Sequence, residues 1–87
     1  IVHPGLFHLM KYDKEKSSNL YQTLQIYLEH GGNATQTAEK LFIHRSSLMK
    51  RLDKIQSLTG IHLEKQEERF YVELSCRLLE YHKSHEK

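Results

Sequence analysis

Cysteine occurs once in these 87 residues, tryptophan not at all, proline once and glycine four times. Each scarcity excludes something. The lone thiol, Cys76, cannot close an intrachain disulfide, so a small oxidised scaffold is ruled out and a reducing, cytoplasmic setting is expected. At its place on a helical pattern, Cys76 reads as a small buried hydrophobe. Sparse proline and glycine suit helices joined by short links. No apolar run reaches the roughly 18 residues that a membrane span needs. No alternating apolar and polar run is long enough to argue for a strand. There is no glycine-rich phosphate loop, no nucleophile paired with a base, and no hydrolase or kinase motif, so an enzyme is not expected.

What is present describes one modest folded domain. Hydrophobic residues make up 38% and charged residues 28%, which fits neither a membrane protein nor a disordered chain. The length allows one core and leaves no material for a deep substrate cleft. The chain starts at Ile1 rather than Met and is expected to be a fragment of something longer; IVHPGLFHLM lacks the basic start and cleavage site of a signal peptide. The net charge is only +2, yet residues 34–60 hold five bases (Lys40, Arg45, Lys50, Arg51, Lys54) against two acids (Glu39, Asp53). The other residues are slightly acidic. That asymmetry is informative about partners where the total is not.

The pattern predicts five helices and an all-α bundle. Helix one follows Pro4 and covers Gly5 to about Tyr12, with DKEKSS as a polar loop. Helix two runs from about Asn19 to His30, capped by Ser17 or Ser18, with Leu20, Leu24, Tyr27 and Leu28 as its buried stripe. Gly31 and Gly32 end it. Asn33 caps helix three, Ala34 to Leu41, with Ala34, Ala38 and Leu41 inward. Phe42, Ile43 and His44 break the helix. Helix four runs from Arg45 to about Leu58, stopped by Gly60, with Leu48, Leu52 and Ile55 at i, i+4 and i+7. Ile61 and Leu63 anchor a link. Helix five covers roughly Glu67 to Lys83 with Phe70, Tyr71, Leu74, Leu78 and Tyr81 as its apolar face.

Helices three and four have the proportions of a helix-turn-helix spanning residues 33–59. Ala38 sits where the two helices come closest, Ile43 plugs the angle between them, and Leu48 and Leu52 lock helix four inward. At 100° per residue the opposite face of helix four holds Ser46, Lys50, Asp53 and Ser57, flanked by Ser47, Met49 and Lys54. His44 and Arg45 stand at the amino end, the part of a recognition helix that enters a major groove. Ser46 and Ser47 allow close approach to a base edge or phosphate, Arg45 and Lys50 suit guanine or phosphate, and Lys54 suits phosphate. Arg51 lies about 60° from Leu48 by the same helical geometry and has two equal readings, a phosphate contact or a pair with Glu39.

The stretch GGNATQTAEKLFIHRSSLMKRLDKI resembles a Fis-type helix-turn-helix. More closely, LYQTLQIYLEHGGN, TAEKLFIHRSSLMKRLDKIQSLTGIHL and RFYVELSCRLLEY together resemble the carboxy-terminal domain of the PucR/CdaR group of bacterial transcription regulators, from about His3 to Tyr81. Ser47 departs from the threonine common there. The resemblance implies double-stranded DNA as partner, with contacts through His44, Arg45, Ser46, Ser47 and their surroundings, Thr35 included. It also implies a metabolite-sensing region outside this fragment. Pairing of two such modules, through helix one or helix five, follows from how few base pairs one module reads.

Several signals have plainer readings. A basic helix face is most often only solvated, which leaves a protein-interaction module as the rival reading. His82 and His85, with Glu86 beside them, sit on a terminal helix and do not make up the three fixed ligands of a metal site; His3 and His8 suit no metal spacing. His44 is expected to be a DNA or capping residue. Glu67 and Glu68 complement a helix amino terminus. No metal and no cofactor are expected.

Overall fold

The computed structural model describes residues 2–85. These form five helices in chain order: α1 Gly5–Lys16, α2 Leu20–Glu29, α3 Ala34–Leu41, α4 Arg45–Thr59 and α5 Gln66–His85. The all-α expectation therefore stands. Among the described residues no helix is long and apolar enough to cross a membrane, and no group of three His, Cys, Asp or Glu side chains is placed to hold a metal. Glu86, named beside His82 and His85, lies outside the described residues.

Helix α2 is the hub and packs against the other four helices. Its buried stripe is Leu20, Thr23, Leu24 and Leu28, with Tyr27 half-buried at its margin. Leu6 and Leu9 of α1, Leu48 and Ile55 of α4, Ile61 of the link and Val72 of α5 are fully enclosed around it. Gly5 is required by close approach: a Cβ there would lie 2.6 Å from the Thr59 carbonyl oxygen. The absence of a side chain lets the start of α1 seat on the end of α4. His3 caps that start, its Nδ1 accepting from the Gly5 amide at 2.9 Å.

Two expectations need correction. Helix α1 does not end at Tyr12 but continues through Asp13–Lys16 to Ser17, whose backbone is left-handed at φ 54°. Lysine and glutamate are good helix formers, and Lys14 and Lys16 complement the dipole at that end. Neither Ser17 nor Ser18 caps α2. The Asp13 carboxylate does so across the link, accepting from the amides of Leu20 at 2.9 Å and Tyr21 at 2.8 Å, while Ser18 donates to the same carboxylate.

Helix α5 is held by a different stripe from the apolar face its sequence pattern shows. Its buried residues are Val72, Ser75 and Cys76, which pack with half-buried Leu79 against α2. Phe70, Tyr71, Leu74, Leu78 and Tyr81 are instead exposed. Only one neighbouring helix reaches α5, so a narrow stripe is enough to hold it and the wider apolar face is left outside. Cys76 is buried as expected, and that burial lifts its thiol to about 11.

Candidate nucleic-acid interface

The α3–turn–α4 unit is built by local backbone chemistry. Asn33 accepts from the Gln36 amide through Oδ1 at 2.9 Å, a side-chain N-cap. Its carbonyl takes the Thr37 hydroxyl at 2.7 Å, so buried Thr37 carries a satisfied polar group into the core. At the other end of α3, Phe42 is left-handed at φ 58°. The Phe42 amide reaches the Glu39 carbonyl at 3.2 Å and the Ile43 amide reaches the Ala38 carbonyl at 3.1 Å. This pair is a Schellman closure, which ends a helix and turns the chain sharply. Ala38 is buried and Ile43 packs on the same core, so the apolar residue after the closure covers the α3–α4 corner.

Helix α4 then divides cleanly. Leu48, Leu52, Ile55 and Thr59 are buried. Ser46, Ser47, Met49, Lys50, Asp53, Lys54 and Ser57 are exposed, as are His44 and Arg45 before them. His44 occupies the cap position, but its side chain makes no cap hydrogen bond, which corrects the capping half of its reading. The first-turn amides of α4 are left without a side-chain cap, a partially positive helix end facing outward.

His44, Arg45, Ser46 and Ser47 stand at that end, with Lys50 more than a turn further along α4. Arg45 Nη1 lies 3.4 Å from Thr35 Oγ1, joining the start of α3 to the start of α4. Two other candidates are engaged elsewhere. Arg51 is half-buried and donates to Thr23 Oγ1 at 3.1 Å; this replaces the suggested pair with Glu39 and ties α4 to α2. Lys54 Nζ sits 5.1 Å from the Tyr12 ring centroid, a cation–π contact with α1.

The partners Thr23 and Tyr12 were missed from sequence. Thr23 lies within the i, i+3, i+4 stripe of α2 and so had to be buried, where its hydroxyl needs satisfaction. Tyr12 was assigned to the end of α1, but nothing in sequence spacing pairs it with Lys54. His3 was also missed as a cap, since its only signal is its place two residues before a helix start.

Residues 20–78 match the model of the PucR C-terminal helix-turn-helix domain. The chain is similar to the DNA-binding transcriptional activator AdeR of Bacillus subtilis (strain 168), 30% identical over 85% of this chain and 18% of that protein. It is similar to the purine catabolism regulatory protein of the same organism, 31% identical over 75% of this chain and 12% of that protein. It is also similar to the proline-responsive transcriptional activator PutR of that organism, 41% identical over 59% of this chain and 12% of that protein. The chain thus spans under a fifth of the length of each of these relatives. No solved structure matches it.

Proposed function

Because the chain belongs to the family of PucR C-terminal helix-turn-helix domains, we propose that it binds double-stranded DNA sequence-specifically, as the DNA-binding module of a bacterial transcription regulator. The helix-turn-helix proper is residues 33–59 within a single domain, and α4 lies in the major groove. The observation that carries this reading is the exposed amino end of α4. Arg45, two small hydroxyl side chains and amides without a side-chain cap lie there, with Lys50 exposed further along α4.

The division of labour follows from chemistry. The first-turn amides of α4 suit a phosphate. Ser46 and Ser47 are short enough to let the backbone come close to the DNA. Arg45 and Lys50 reach guanine O6 and N7 or a phosphate, and the Thr35 hydroxyl steadies Arg45. Arg51 and Lys54 are positioning residues in this reading, holding α4 on α2 and α1. The longer protein to which the module belongs acts in the cytoplasm as a homodimer, and a region outside this chain senses a small-molecule effector.

The test separates recognition from folding. Lys50→Ala and Arg45→Ala remove exposed side chains, so chemical denaturation of both variants matches wild type. Each weakens DNA binding by about 1–3 kcal/mol if it reads a base edge. Leu52→Ala instead costs about 2–5 kcal/mol of stability and loses binding through unfolding. Normal folding with wild-type affinity in both surface variants, titrated on DNA selected from random sequence, sinks the recognition-helix reading and leaves the protein-interaction one.

A further inference from the structure

The outward face of α5 has a spacing and charge layout of its own. Tyr71, Leu74, Leu78 and Tyr81 recur at intervals of three and four, the a and d positions of a heptad. All four are exposed, by 42%, 43%, 38% and 63%, and Phe70 beside them by 67%. Monomeric surfaces scatter such residues singly rather than line them along one helix. The opposite face of α5, centred on Val72 and Cys76, already holds the helix to the body, so the outer seam has no structural duty within the fold. Tyr71 is steadied by His3, their ring centroids 5.2 Å apart.

We propose that this seam is a homodimer interface, in which α5 pairs antiparallel with α5 of a second copy. Charge decides both the occupant and the direction. The first turn of α5 carries Glu67 and Glu68, the latter already bonded to His62 and Lys65 of its own chain, and the last carries Lys83 with His82 and His85. An antiparallel pair centred near Cys76 sets Leu74 against Leu78 and Tyr71 against Tyr81 of the second copy, with each acidic end beside a basic end. A parallel pair stacks acid on acid and base on base, which is unfavourable. A patch that complements itself under a two-fold rotation is what an isologous dimer requires. Arg77, near the centre, is already paired with Glu73 at 3.1 Å on its own helix, so two copies meet there without a bare like-charge contact. The inference gives the homodimer of the proposed DNA-binding reading a defined surface and rests on that reading only for its purpose.

Sedimentation equilibrium of the 87-residue chain tests it, beside Leu74→Glu and Leu78→Glu. Both positions are exposed, so at concentrations where wild type is monomeric the melting temperature and binding to a single half-site stay at wild-type values. Self-association weakens roughly tenfold or more in each variant. Direction is read by oxidising an equimolar mixture of Leu74→Cys and Leu78→Cys chains in a Cys76→Ala background: mixed disulfides dominate if the pair is antiparallel, like-with-like disulfides if it is parallel. A wild-type chain that stays monomeric at about 1 mM, association unmoved by both glutamates, or like-with-like disulfides would each overturn the proposal. In the first case the face belongs to another part of the longer protein. Loss of half-site binding by wild type, with association intact, overturns the DNA reading alone.

Discussion

Phe42 holds a left-handed backbone at φ 58° while its ring is 93% exposed. A side chain in that conformation costs about 1–2 kcal/mol, and here no burial of the ring offsets it. Phe42→Gly is expected to raise stability by about 0.5–1 kcal/mol, less than the full strain because glycine also frees the unfolded chain. The check is a urea midpoint with an unchanged slope; a lower midpoint would mean the ring contributes packing. Cys76 makes a pH-dependent counterpart. Burial raises its thiol to about 11, so the folded state favours the neutral form. With the folded value above the unfolded one, this contribution is complete below a free thiol's ordinary value and declines as pH rises toward about 11. Between about pH 8 and 10.5 wild type is expected to lose more stability than Cys76→Ala does. Parallel pH profiles of the two proteins would argue against a buried neutral thiol.

At the scale of the element, the least obvious device is the Asp13 carboxylate. It belongs to α1 and yet receives the first two amides of α2. Asp13→Ala is expected to cost about 0.5–2 kcal/mol, the range for a lost cap, and Asp13→Asn to recover part of it, since an amide oxygen still accepts. Thermal melts of the two variants distinguish a cap from a purely ionic contribution, in which Asn would behave like Ala. This residue also shows what the sequence conveys and what it withholds. Helix types, the Asn33 cap, the closure after Leu41 and the inward Leu48–Leu52–Ile55 stripe were legible because each follows from neighbours within one or two turns. The cap from Asp13, the bond from Arg51 to Thr23 and the stacking of Lys54 on Tyr12 were not, because they join separate helices. What the apolar face of α5 packs against was not legible for a related reason. Periodicity identifies an apolar face but not whether the fold provides anything to cover it.

For the whole molecule, the separation between structural and free cations makes a quantitative claim about DNA. Four bases lie on α4, but Arg51 is bonded to α2 and Lys54 is stacked on α1. Arg45 and Lys50 are the two of the four directed to the DNA in the proposed complex. Each phosphate neutralised contributes about −0.9 to the slope of log affinity against log salt. Where both reach phosphates, one copy on a half-site is expected to show a slope of about −2, and two copies on a two-half-site DNA about −4; a base-edge contact by either lowers it. If Arg51 and Lys54 also reached phosphates, one copy alone would approach −4. Arg51→Ala and Lys54→Ala sharpen the distinction. Neither is expected to change the half-site slope, but Arg51→Ala also leaves the buried Thr23 hydroxyl without its Arg51 partner and lowers the melting temperature. Titrations at several salt concentrations decide the matter: a slope that falls by about one unit in either variant would place that side chain on the DNA backbone and reassign it from positioning to contact.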